Sequence, residues 1–394
     1  MKRFAAALAA ILIIVIVPFT ASAEPEEDTE EQAKQELEQG TSEILDGLDL
    51  SELEKIYNES GLSEKISFNS LINDIAQNGL TQITAEKAVK TVLDAFRNAF
   101  TGGVAYMAEI VVLLLLSGLL KQLPQSEEGG AAKTAFFAGY IICATLAAAI
   151  LAGSIFTAKN ALDRLGEVIN AITPVLIAVL TGIGSLSASA VMSPVLAGLT
   201  GTVFSMVKNI VFPAIIVSAI LNLLTNISST VKLAKLAELI DSGIKWFMGI
   251  IFTVFLGVGA IKGITGAAMD GVTFKTAKYT IDKTVPFIGG MFSDTLDTVM
   301  ACGIIVKNAV GTAGLILLAF IMLYPLAALV INMFLFKGGA AVAEPFSDSS
   351  SVKMLEGMGK IAMLLFIVVM TCTAMAFILI ALLMGAADMS FMMR

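Results

Sequence analysis

Histidine is absent from the 394 residues, and charge is scarce: Asp, Glu, Lys and Arg make up 15% of the chain against 57% hydrophobic residues. The missing histidine removes the commonest general base and the commonest metal ligand. A soluble domain carries about 25% charged residues. The deficit, with a mean hydropathy of +0.86, puts the chain in the membrane class. Cysteine is nearly absent too. Cys143, Cys302 and Cys372 stand far apart in apolar surroundings with no CxxC spacing, so buried, inert thiols are expected rather than a zinc site or a redox pair. No phosphate-cradling GxxxxGK[ST], GxSxG or HExxH occurs, so neither catalysis nor a cofactor is expected. An intramembrane aspartyl protease needs two aspartates in separate spans, whereas Asp294 and Asp297 share one segment. The net charge of −8 is concentrated between Glu24 and Glu59, where Lys34 and Lys55 are the only bases. Nothing resembles a basic nucleic-acid surface.

What the chain has in abundance is long apolar runs. The first, Phe4 to Val17, follows Lys2 and Arg3 and ends at Pro18 and Ala21-Ser22-Ala23. This is the pattern of a signal peptide cleaved after Ala23, the alternative being an uncleaved anchor. Residues 24–103 are then expected outside the cell as an acidic, partly helical segment, with 24–60 polar and loose at first. Leu45, Leu48, Leu53 and Ile56 suggest a short amphipathic helix. Thr84 to Phe100 has apolar residues at three- and four-residue spacing and is punctuated by Gly102-Gly103. Its stripe either packs on the host domain or binds a partner.

Residues 104–394 are expected to form a polytopic membrane domain in an all-α fold with Pro/Gly-broken segments. The uncharged runs are Ile110 to Leu120, Thr134 to Ala158, Val168 to Val207, Asn209 to Val231, Trp246 to Ile261, Asn308 to Phe336 and Ile361 to Ala387. A span needs about 20 apolar residues, so Val168 to Val207 holds two spans or a span and a re-entrant hairpin. About seven spans are expected. An eight-span arrangement leaves nearly as many interior lysines, so charge bias does not decide orientation.

Within Val168 to Val207, Pro174 and Gly182 are echoed by Pro194 and Gly201. Proline interrupts backbone hydrogen bonding and glycine permits tight turns. In a bilayer such breaks survive only against protein or water, so the prolines are expected to interrupt the helices near a pore or a packing seam. Pro286, Gly289 and Gly290 join this set. A longer echo, 168–262 against 281–384, reads as duplication or as chance matching of apolar sequence. The remaining glycines suit close helix packing. Glu109, Asp294, Asp297, Lys307 and Asn308 are the polar groups expected at membrane depth, where such residues are functional candidates. Three apart on a helix, Asp294 and Asp297 share a face, turned to water, a lumen or a lysine such as Lys307. An ordinary solvated face is the alternative.

The block Val285-Pro286-Phe287-Ile288-Gly289-Gly290-Met291-Phe292-Ser293-Asp294-Thr295-Leu296-Asp297, then Ile305-Val306-Lys307-Asn308-Ala309-Val310-Gly311, Tyr324-Pro325 and Glu344-Pro345, resembles the stage III sporulation protein AE family of endospore-forming bacteria. The likeness runs essentially the whole chain. It implies a multi-pass protein of the mother-cell membrane around the forespore, one subunit of a channel or secretion-like complex joining the two cells. The implied partners are other membrane proteins of the same operon, including an ATPase and a ring-forming protein, besides the lipid bilayer. Self-association is compatible with it, and no nucleic acid is implied. The competing reading is a stand-alone secondary transporter of a small solute.

Overall fold

Long helices dominate because the apolar runs contain few residues that stop one. The computed structural model describes residues 30–60, 67–79, 85–122, 130–227, 233–284, 289–345, 347 and 349–392. In order these form α1 (Glu30–Asp46), α2 (Ser51–Glu59), α3 (Phe68–Asn78), α4 (Ala85–Gln122), α5 (Gly130–Gly182) and α6 (Leu186–Ala197). Two π-helical stretches follow, π1 (Gly198–Val203) and π2 (Val207–Val211), separated by α7 (Phe204–Met206) and leading into α8 (Phe212–Ile227). The chain closes with α9 (Ala234–Thr284), α10 (Gly289–Ala343) and α11 (Ser349–Met392). No strand occurs among the described residues. The signal segment with Ala23, and Pro286, lie outside them.

Helix α10 is the axis. Helix α5 runs antiparallel to it in one register: Ser154 meets Asn332 (Nδ2 to Oγ, 2.9 Å), Ile172 meets Gly314, and Ile183 meets Gly303. Helix α4 runs parallel to α10, with Gly103 against Leu335, Met107 against Gly339, and Ser347 Oγ donating to the Leu114 carbonyl at 3.1 Å. Helix α11 folds back antiparallel, placing Met384 on Gly311 and Lys337 on Gly359. Lipid offers no hydrophobic drive between helices, so close packing at small residues holds such a bundle. On a further side, residues 186–227 and α9 form an antiparallel pair, joined to α11 through Asn222 against Gly357 and Leu382 against Gly259.

Five helices are long and apolar enough to cross a membrane among the described residues: Ala138–Gly182, Gly201–Thr225, Ala234–Lys262, Thr298–Ala343 and Ser349–Gly385. The hydropathy runs suggested about seven. Part of the difference is that Thr134 to Ala158 and the start of the next run belong to one helix, α5, which continues through Lys159, Asp163, Arg164 and Glu167. Three of those four charges meet partners. Arg164 bridges Glu59 (2.7 Å) and Glu167 (3.2 Å), and Asp163 pairs with Lys208.

Proline placed no break at Pro174. Helix α5 passes through it with the ring on the exposed side, and α10 passes through Pro325, which is half-buried. The turn comes later, at Gly184 (φ 79°). There Ser185 N–H reaches the Leu180 carbonyl (2.9 Å) and Gly184 N–H the Thr181 carbonyl (3.0 Å), a Schellman ending with glycine in the left-handed position. Pro194 also lies inside a helix, α6, and the departure from α geometry begins four residues on, at Gly198. Gly102-Gly103 does not punctuate α4, which continues to Gln122.

The acidic N-terminal segment is helical from Glu30, and residues 24–29, where looseness was expected first, lie outside the described residues. Its apolar side is used: Leu45, Leu53, Ile56, Tyr57, Phe68 and Ile72 are buried. The rings of Tyr57 and Phe68 lie 5.5 Å apart, and Gly40 abuts Cys302 of α10. Ser67 caps α3 through Ser70 N–H (3.2 Å), and Gly79 (φ 64°) ends it. Of the stripe on α4, Phe96 packs with Ala327 and Ile331, while Leu93 and Phe100 stay exposed.

A β-carbon on Gly303 would overlap Ile183 Cγ2, which is fixed to a branched Cβ and has little room to yield. Gly303→Ala should therefore destabilise by about 1–3 kcal/mol of overpacking, outweighing the helix-propensity gain of up to about 1 kcal/mol. Gly102 has open space around it, so Gly102→Ala should show the gain alone. Thermal unfolding of the detergent-solubilised chain checks the opposite signs.

Candidate functional site: polar groups and π-helical turns in the apolar bundle

An acid caps the restarted helix from a distance. After the Gly184 turn, the first amides of α6 have no partner in their own helix, as in any helix start. Asp270, on α9 and 2% exposed, supplies both oxygens. Oδ1 accepts from Ser187 N–H at 2.9 Å and Oδ2 from Ala188 N–H at 2.8 Å. The carboxylate also sits at the positive end of the helix dipole. Thr181 and Ser189 hydroxyls, 3.3 Å apart, link the two sides of the turn. Further along the pair, Ser218 donates to Asp241. These two carboxylates hold residues 186–227 and α9 in one antiparallel register.

Between those anchors lie π1 and π2. Each widens the helix by replacing i→i−4 bonds with i→i−5 bonds, a geometry found mostly as short bulges and frequently at functional sites. Lys208, within π2, pairs with Asp163 of α5. Along π1 a groove of about 660 Å³ opens between this helix and α9, with Pro194, Gly198 and Thr202 on one wall and Val254, Val258 and Lys262 on the other.

A buried cation sits at the centre of the bundle. Lys307 of α10 has no exposed surface and donates to the Met384 carbonyl of α11. That carbonyl lies inside α11, eight residues before its end. The neighbouring Asn308 has a buried side-chain oxygen with no hydrogen-bond partner, as do the hydroxyls of Tyr140 and Thr173 on α5. On the flank, Glu52, Lys55, Glu59, Asp163, Arg164 and Glu167 line a polar cleft of about 520 Å³ between α2 and α5. The hydrogen bond from Arg164 holds the Glu59 carboxyl below its ordinary value.

The residues singled out in the sequence divide accordingly. Gly182 is the last residue of α5, two before the turn glycine; Pro194 lines the groove; Gly201 lies in π1 with no neighbour in reach of a β-carbon. Gly289 and Gly290 open α10, and Asp294 and Asp297 follow in its first turns, their side chains outside the described residues. Glu109 is exposed on α4, whereas Lys307 is fully buried. Sequence reading missed Asp270, Asp241 and the Lys208–Asp163 and Arg164–Glu59 pairs. An isolated acid inside a long apolar helix was the available signal for Asp270, but its partners lie 82 and 83 positions away.

Asp270→Ala should cost about 1–2 kcal/mol, the usual worth of a lost cap, and Asp270→Asn less, since one acceptor oxygen remains. Amide hydrogen exchange at Ser187 and Ala188 should accelerate in the order Ala, Asn, parent. Unchanged exchange in the alanine variant would remove the capping role.

Three comparisons bear on this arrangement. The family model described as stage III sporulation protein AE matches residues 66–387. Stage III sporulation protein AE of Bacillus subtilis (strain 168) is 26% identical over 405 residues, covering 100% of this chain and 100% of the relative. No solved structure matches the chain.

Proposed function

The chain belongs to the stage III sporulation protein AE family, and from that premise we propose that it is a membrane subunit of a channel or secretion-like complex between mother cell and forespore. It is a multi-pass membrane protein of sporulation. On the proposed reading it works without catalysis or cofactor, resides in the mother-cell membrane around the forespore, and is needed for forespore development. Its partners are other membrane proteins of the same operon, among them an ATPase that supplies energy and a ring-forming protein. Residues 1–23 direct export, 24–103 face outward, and 104–394 form the membrane domain.

One observation carries this reading: the helices overreach the bilayer. Helices α5, α9 and α10 have 53, 51 and 55 residues, and at about 1.5 Å per residue each is about 76–83 Å long. The hydrocarbon core is about 30 Å thick. Tilt absorbs a fraction of the excess, and the remainder stands clear of the lipid. A solute carrier acting alone has no use for so much projecting helix, whereas a subunit that docks on soluble or peripheral partners does. The stand-alone transporter reading draws on the buried Lys307 and the π turns.

Affinity purification from sporulating cells in mild detergent separates the two. The complex reading expects the operon ATPase and the ring-forming protein to co-purify in fixed ratio. A lone monomer that drives solute uptake in reconstituted vesicles would overturn it.

A further inference from the structure

We propose that the groove along π1 is a binding site for one acyl chain of an anionic phospholipid, with the phosphate held at Lys262. This rests on the helix pair itself and is independent of the assembly reading above.

The groove is built by two facing stripes. Pro194, Gly198, Thr202 and Met206 recur every four residues on one helix, and Ile250, Val254, Val258 and Lys262 every four on the other. The helices are antiparallel in the register fixed by Asp270 and Asp241, so Pro194 lies level with Lys262 and Met206 with Ile250. Gly198 and Thr202 keep the middle of the first wall low, and Ile250, Val254 and Val258 form the apolar part of the second. The π geometry widens the first helix along this stretch. A β-carbon on Gly198 would meet nothing within 4 Å, so no protein atom fills the space.

Dimensions select the occupant. Twelve residues at about 1.5 Å each make the groove about 18 Å long, slightly more than one leaflet of a hydrocarbon core about 30 Å thick. A single extended hydrocarbon chain fits that length and the free volume of about 660 Å³.

Charge selects the headgroup. The apolar stretch of α9 ends at Lys262, the level at which long cations reach the interface. Lys262 is exposed and forms no ion pair among the described residues. The groove therefore starts at a cation at headgroup depth and runs inward over Val258 and Val254 to Ile250, the polarity profile of a lipid read from phosphate to chain end.

Native mass spectrometry of the delipidated full-length chain, titrated with palmitoyl-oleoyl phosphatidylglycerol or phosphatidylcholine, tests this. The parent should retain one phosphatidylglycerol about fivefold more strongly than phosphatidylcholine, the factor that one lysine near an anionic surface contributes. Lys262→Gln, a change at an exposed side chain, should abolish the preference and keep chain binding. Gly198→Leu and, from the opposite wall, Val254→Trp should fill the groove and lose both lipids, with unfolding midpoints confirming that each variant is folded. Equal retention of the two lipids by the parent, or retention unchanged in both filled variants, overturns the proposal. So does a lipid-free dimer that Gly198→Leu dissolves, which assigns the face to a second copy.

Discussion

Close approach of neighbouring helices to α10 at its glycines is the constraint on which the structure depends. Gly303 and Gly314 receive Ile183 and Ile172 of α5, Gly311 receives Met384 of α11, and Gly339 receives Met107 of α4. In lipid, apolar side chains gain little by leaving their surroundings, so affinity between helices comes from dispersion at short range and from the few polar pairs that close packing permits. Glycine sets that range, and three neighbours use it on one helix. The Ser154–Asn332 hydrogen bond at 2.9 Å forms because the α5–α10 seam is already narrow there.

The polar groups take their places around this seam. With α11 held on Gly311, the Met384 carbonyl comes within reach of Lys307, and a cation that is costly when buried alone gains an acceptor. With α5 held on α10, its mid-helix charges face outward to Glu59 and Lys208 rather than into the core. The second pair, residues 186–227 with α9, is governed differently. Its register is set by two carboxylates, Asp270 and Asp241, and the π turns between them leave a groove instead of a tight seam. The first half is drawn together at the glycines of α10, and the second carries a groove along π1.

Much of this was legible in the sequence, and what escaped has identifiable causes. Hydropathy and the scarcity of charge gave the membrane class, and the scattered glycines correctly suggested close packing. The prolines misled, because a proline in a long helix with its ring on the exposed side costs one hydrogen bond without ending the helix, and the turn fell to Gly184 instead. Charges at 159–167 separate two apolar runs in the sequence, yet their partners, Glu59 and Lys208, are 105 and 45 positions away from Arg164 and Asp163. Composition predicted a loose segment after Glu24, but the sparse leucines and Phe68 find a wall on the bundle. Lys307 was singled out as a polar group at depth and is fully buried; Glu109, chosen on the same ground, is exposed because it lies on the outer side of α4.

Disulfide trapping in native membranes reads the glycine-set register of α5 against α10 directly. Cys143, Cys302 and Cys372 are free and buried and are first replaced by alanine. In that background the pair Ser154→Cys with Asn332→Cys should cross-link rapidly under mild oxidation. The pair Ser154→Cys with Asn308→Cys, displaced by about 36 Å along α10, should not. Efficient trapping of the displaced pair, or none of the matched one, would contradict the packing on which the rest of the fold is built.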